Sequence, residues 1–217
     1  MAESYKILYQ GGVGEIVEKK SRFIATTMPV ETEEEALAFI ETMRKKYWDA
    51  THNCYAYTVG RRQEICRASD DGEPSQTAGR PMLDVLLGEE LHNACVVVTR
   101  YFGGTLLGTG GLVRAYSGAA KEGLLHSVIV EKFRGRKVEI LTDYNGVGKI
   151  QYLLAKEGIR SLDVSYTDEV KFEILVPEDE LAGIKKKITE ATSGRARIAD
   201  GKEIWFGDAA GEAVLWE

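Results

Sequence analysis

Five glycines lie between two arginines in the stretch Thr99-Arg-Tyr-Phe-Gly-Gly-Thr-Leu-Leu-Gly-Thr-Gly-Gly-Leu-Val-Arg114, at positions 103, 104, 108, 110 and 111. Glycine lets a backbone approach a ligand closely and adopt positive φ at little steric cost. The apolar run Ala94 to Val98 feeds this stretch, and a small-residue helical pattern leaves it near Tyr116. Free N–H groups and the positive end of a helix dipole then face whatever binds there. The chemistry that suits this pattern is anion binding, most naturally of phosphate, with Arg100 and Arg114 as charge partners. A purely structural turn is the alternative. Two nucleotide fingerprints fail. Gly103 and Gly108 have Walker A spacing, but Thr109 stands where a lysine is needed. Gly108 and Gly110 begin a dinucleotide fingerprint, but Val113 takes the third glycine's place.

The second cluster is Ser69-Asp-Asp-Gly-Glu-Pro-Ser-Gln-Thr-Ala-Gly-Arg-Pro81. Its carboxylates, Asp70, Asp71 and Glu73, could hold a divalent ion through oxygen or supply an acid and a base. Equally, Asp and Gly turn chemistry makes this a polar loop leading into a proline-started helix. His52 and Cys54 share a face if they lie on a strand, so a metal or Cys–His pair is conceivable there, against a structural role. His92 and His126 do not lie at ligand spacing from them. Gly-x-Ser-x-Gly, His-Glu-x-x-His and Cys-x-x-Cys are all missing from the sequence.

Charge adds a third feature. Residues 1–137 carry 18 acidic and 18 basic side chains, and residues 138–217 carry 16 and 10, so the net −6 belongs entirely to the C-terminal part. Basic clusters stand at Lys19, Lys20 and Arg22, at Arg44 to Lys46, and at Arg61 and Arg62. They are solvated faces unless they converge, in which case they line a groove for phosphate backbone.

The elements that must position these residues follow from periodicity. Two α+β domains are expected, residues 1–134 and 138–217, joined through the charge run Glu131 to Lys137. In the first, Glu15 to Val30 reads as a pair of strands. Thr32 and Glu35 form a capping box ahead of Ala36, Ile40, Met43 and Tyr47 at helical spacing. His52 to Val59 pairs with Ile65 to Ala68, and Pro81 starts a helix closed by Gly88. Cys95 to Val98 reads as a strand buried on both faces, and Leu112 to Ala120 as the next helix. The second domain reads strand–helix–strand–strand–helix–strand, from Val138 to a last strand region over 195–206. That is the order of a ferredoxin-like split βαβ. Three scattered cysteines fit free thiols in a reducing cytoplasm. The N-terminus lacks the apolar core of a secretory signal, and no run is long enough for a membrane span.

Together Asp70 to Pro74, Thr77 to Pro81, Val96 to Gly104 and Leu107 to Tyr116 resemble the IMPACT family, including its bacterial YigZ-type members. The resemblance covers most of residues 15–130, and the tail from about Val138 is similar to the small C-terminal domain of the bacterial members. It implies an N-terminal ribosomal protein S5 domain 2-like fold and a ferredoxin-like C-terminal domain similar to that of elongation factor G. It also implies a place in translation or its regulation. Eukaryotic relatives act through an additional N-terminal domain that this chain lacks, so their protein partner does not carry over.

The expectation is a cytoplasmic protein that binds RNA or the ribosome, needs no cofactor or metal, and does not act at a membrane. Backbone N–H groups of Gly103, Gly104, Gly108, Gly110 and Gly111 would contact phosphate. Arg100, Arg114, Lys19, Lys20 and Arg22 would add charge, and Tyr101 and Phe102 would stack on bases. The alternatives are an enzyme acting on a phosphorylated small molecule or nucleotide, with Asp70, Asp71 or Glu73 holding Mg²⁺, and a regulator that binds a protein partner in translation control.

Overall fold

Alternating strand formers and capped helices give the chain its order. A computed structural model describes residues 4–216. The elements are β1 (Ser4–Gln10), β2 (Val13–Glu18), β3 (Ser21–Pro29), α1 (Glu33–Lys46), β4 (His52–Val59), β5 (Ile65–Ser69), α2 (Gly79–Gly88), β6 (Leu91–His92), β7 (Ala94–Tyr101) and α3 (Thr109–Leu125). They continue as β8 (Val128–Thr142), α4 (Tyr144–Lys156), β9 (Ser161–Tyr166), β10 (Val170–Pro177), α5 (Leu181–Ala191), β11 (Arg197–Ala209) and β12 (Glu212–Trp216). The chain divides into two compact units, Tyr5–Val130 and a second that takes in residues 131–216 and Ser4.

In the N-terminal unit an antiparallel sheet runs in the order β2-β3-β7-β4-β5. β7 is central, and its side chains are buried on both faces. Ala94, Val96 and Val98 join Met82, Leu86, Leu112 and Tyr116 under α2 and α3. Cys95 and Val97 join Ala36, Ile40 and Met43 under α1. The doubly apolar reading of this run therefore holds. Thr32 caps α1 by accepting from the Glu35 N–H, as the capping box requires. The return bond goes one residue early, from the Glu31 N–H to Glu35 Oε2 at 2.7 Å. Gly123 packs α3 onto β3: a Cβ there would lie 2.9 Å from Ala25 Cβ.

In the C-terminal unit the sheet order is β9-β10-β8-β11-β12, antiparallel throughout. Taken without β12, strands 2-3-1-4 around two helices make the ferredoxin-like arrangement. Val170, Phe172, Ile174 and Val176 lie under α4 and α5 with Ile150, Ile184 and Ile188. Two expectations are corrected here. Residues 131–137 are no linker. They lie within β8, with Gly135 to Lys137 paired to β10 and Phe133 to Arg136 to β11. The final strand region also extends further, because β11 turns through Ala210 and Gly211 into β12. Among the described residues no helix is long and apolar enough to cross a membrane.

Candidate functional site

The sheet register of the N-terminal unit starts the site. Phe23 on β3, Arg100 on β7 and His52 on β4 are direct cross-strand partners, so they form one row on one face. That face lies under the loop from β5 to α2 and the glycine loop from β7 to α3.

Arg100 is only 5% exposed. Its Nη1 donates to Glu73 Oε1 at 2.5 Å, and the Glu73 side chain is 3% exposed. Tyr116 Oη, from α3, donates to the same oxygen at 2.8 Å. Burial pushes the Tyr116 phenol far up, with Cys54 and Glu73 adding to the effect, so it stays protonated and serves as a donor. The guanidinium also sits 5.4 Å from the centre of the Phe23 ring and 5.6 Å from that of Phe102. A buried charge needs such a partner. One polar atom remains: Arg100 Nε is buried without a hydrogen-bond partner.

Asp70 and Asp71 face inward to backbone. Asp70 Oδ1 accepts from the Ala78 and Gly79 N–H groups at 3.0 and 2.8 Å, and Oδ2 from the Gln76 N–H at 2.8 Å. It thus satisfies the open N–H groups at the start of α2, a role the Ala78 cap position cannot fill. Asp71 Oδ2 accepts from the Asn53 N–H at 2.7 Å, and Oδ1 from Arg44 at 3.3 Å. The Asp71 carbonyl meets His52 Nδ1 at 2.8 Å, and the Asp70 carbonyl accepts from Cys54 Sγ at 3.0 Å. His52 and Cys54 thus tie β4 to the acidic loop, and burial pushes the Cys54 thiol well up. Among the described residues no group of three or more His, Cys, Asp or Glu is placed to hold a metal ion. Both oxygens of Asp70 and of Asp71, and Oε1 of Glu73, are already engaged by protein N–H, O–H or guanidinium groups.

The glycine loop divides in two. Gly103 is a packing glycine. Its N–H donates to Ser21 Oγ at 3.1 Å, and a Cβ would fall 2.1 Å from the Lys20 carbonyl carbon. Gly104 and Gly108 take left-handed φ of +84° and +72°. Gly108 caps α3 without a side-chain bond, no acidic residue stands in the first turn, and Gly108 to Gly110 are exposed. Gly111 lies against Leu107, where a Cβ would come within 2.9 Å.

Two hollows flank this first turn. One, of about 500 Å³, is lined by His52, Glu73, Arg100, Phe102, Leu106, Leu107, Gly108 and Thr109 among others. The other, of about 200 Å³, is lined by Ile16, Glu18, Lys19, Leu107, Gly111, Arg114 and Ala115. The acidic loop, the glycine loop and His52 therefore meet at one place. Lys19 and Lys20, at φ +46° and +68°, form the β2–β3 turn beside it. Arg22 is taken by Glu15 at 2.8 Å and lies over Tyr101. Tyr101 Oη donates to Asp49 at 2.8 Å, while Phe102 is 48% exposed. The Glu73–Arg100 pair is the feature that sequence reasoning missed. The signal was an arginine inside an otherwise apolar strand, which must find a counter-charge. A further hollow of about 480 Å³ in the C-terminal unit, between Phe133, Ile159, Leu175 and Phe206, contains none of these groups.

Residues 19–124 match the Impact N-terminal domain, and residues 140–195 match a domain of unknown function, DUF1949. The chain is 44% identical over 202 residues to IMPACT family member YvyE of Bacillus subtilis, with 93% of each chain covered. It is 34% identical over 182 residues to IMPACT family member YigZ of Escherichia coli, covering 83% of this chain and 89% of that one. A crystal structure of a hypothetical protein superposes with a TM-score of 0.58 at 32% identity, over 93% of this chain and 98% of that one.

Proposed function

This chain belongs to the IMPACT family, and from that premise we propose that it binds RNA or the ribosome and modulates translation, gripping phosphate backbone at the first turn of α3. The family resemblance is the ground for the translation role. One observation supports the binding surface: α3 opens to solvent at Gly108 to Gly110, uncapped by any side chain, with Lys19 and Arg114 lining the hollow beside it. An uncapped helix start offers N–H groups and a partial positive charge to phosphate. Lys19 and Arg114 add full charges on the same side, where Glu18 also lines the hollow. Gly108, Gly110 and Gly111 supply the backbone contact in this reading. Gly103, whose N–H is committed to Ser21, and Arg100, committed to Glu73, act from behind by fixing the loop. Lys20 reaches the phosphate from the β2–β3 turn, and Arg22 does so by leaving Glu15. Exposed Phe102 is the base-stacking group.

The test is a salt titration with a single-stranded RNA oligonucleotide. Each lysine or arginine on phosphate contributes about −0.7 to the slope of log K against log salt. Replacing Lys19 and Arg114 by alanine together should flatten that slope by about 1.4. Salt-independent binding, or no binding to RNA or ribosomes at low salt, overturns the proposal.

A further inference from the structure

The 500 Å³ hollow has a chemistry of its own. Its volume falls in the range of small-molecule sites, and far exceeds what a bare phosphate ion fills. Its walls are apolar at Leu106, Leu107 and Phe102, and Leu106 is 82% exposed. Its floor carries the Glu73–Arg100 pair, whose opposite charges cancel, so an anion entering meets no net repulsion.

One atom there is unmatched, His52 Nε2. A backbone carbonyl only accepts, so the 2.8 Å contact with Asp71 O places the proton of the neutral ring on Nδ1. Nε2 is then an acceptor. Its recorded neighbour is Glu73 Oε1 at 3.9 Å, another acceptor and too distant for a hydrogen bond. Among the described residues none donates to it, which leaves it free to accept from a group in the hollow. The open first turn of α3 borders the same hollow at Gly108 and Thr109.

We infer that this hollow binds a phosphate monoester with a flat aromatic group on its body, namely a nucleoside 5′-monophosphate. Its phosphate rests on the first turn of α3. Its body lies against Leu106 and Phe102, and a donor on the body bonds to His52 Nε2. The site shares with the proposed RNA contact the turn at Gly108 and Thr109 and the exposed ring of Phe102. The same chemistry is presented by a free nucleotide and by the 5′-phosphorylated end of an RNA strand.

The experiment titrates the ¹⁵N-labelled full chain with adenosine 5′-monophosphate, adenosine and inorganic phosphate. The nucleotide should bind at least about tenfold more tightly than either fragment, shifting the Thr109 and Gly110 amides and the His52 ring. Leu106→Ala, at an exposed position, should weaken the nucleotide several-fold and leave inorganic phosphate unchanged. His52→Ala should cost the nucleotide about fivefold, the value of one hydrogen bond. Equal affinity for nucleotide and inorganic phosphate overturns the inference, as do shifts elsewhere than Thr109 and His52, or indifference to Leu106→Ala. A 5′-phosphorylated trinucleotide that displaces the mononucleotide assigns the site to RNA ends; failure to displace it assigns the site to free nucleotide. Lys19→Ala with Arg114→Ala separates the two readings: it should weaken RNA and leave mononucleotide binding within about twofold.

Discussion

Glu73→Gln is the sharpest perturbation of the site. The change keeps size and shape and leaves an oxygen that Tyr116 and Arg100 can still use. It removes only the negative charge opposite a guanidinium that is 5% exposed and paired at 2.5 Å. Breaking a buried pair by removing one partner costs about 3–5 kcal/mol, because the other charge stays buried and uncompensated. The retained oxygen points to the lower end, about 3 kcal/mol. Hydrogen exchange of the Val96, Val97 and Val98 amides reads this directly, since they lie in the central strand and report opening of the N-terminal unit itself. Combining Glu73→Gln with Arg100→Met removes both charges, and the double variant should recover part of the loss. A single-variant cost below about 1 kcal/mol, the value of a solvent-screened surface pair, refutes the reasoning. So does a double variant less stable than Glu73→Gln alone.

Four further outcomes follow from the same packing. Asp70→Ala strips three backbone N–H groups of their acceptor, so urea denaturation should show a loss of about 2 kcal/mol or more, with α2 exchanging first. Gly118→Ala, whose Cβ would meet only Ile16 Cδ1 at 3.5 Å, should stabilise by up to about 1 kcal/mol, whereas Gly123→Ala, at 2.9 Å from Ala25 Cβ, should destabilise by about 1–3 kcal/mol in the same assay. Cys54 and Cys95 have thiols raised by burial, so they stay protonated in the folded state; stability should fall as pH rises past the ordinary thiol range near about 8.5, and a thiol reagent should label half-buried Cys66 before either. A fragment of residues 131–217 should show the dispersed NMR spectrum of a folded domain, while residues 138–217, missing most of β8, should not.

The sequence made plain whatever was local and periodic. Doubly apolar Cys95 to Val98 reads as a buried central strand, and Thr32 and Glu35 mark the start of α1. The glycines before Leu112 marked the start of α3. What escaped was pairing between distant residues. The run from Glu131 to Lys137 looks like a linker because its charges have no local partners. In the fold Arg134 meets Glu203 at 2.7 Å, Arg136 meets Glu178 at 3.0 Å and Lys137 meets Glu173 at 2.6 Å, which makes a charged run acceptable inside a sheet. The partners of the acidic loop were hidden in the same way. Three carboxylates in four residues suggest a metal or an acid–base pair; in the fold they reach backbone N–H groups at Asn53 and Ala78 and a guanidinium at Arg100, none adjacent in sequence. The meeting of His52, Glu73 and Thr109 in one hollow depends on sheet register, which periodicity alone does not fix.

The central claim, phosphate backbone held at the first turn of α3, is tested most directly by amide shifts in the ¹⁵N-labelled full chain on adding a single-stranded RNA oligonucleotide at low salt. The account predicts the largest changes at Thr109, Gly110 and Gly111, smaller ones at Lys19 and Lys20, and their loss as salt is raised. Shifts confined to residues 131–216, or a first turn of α3 left unmoved by saturating RNA, would contradict it.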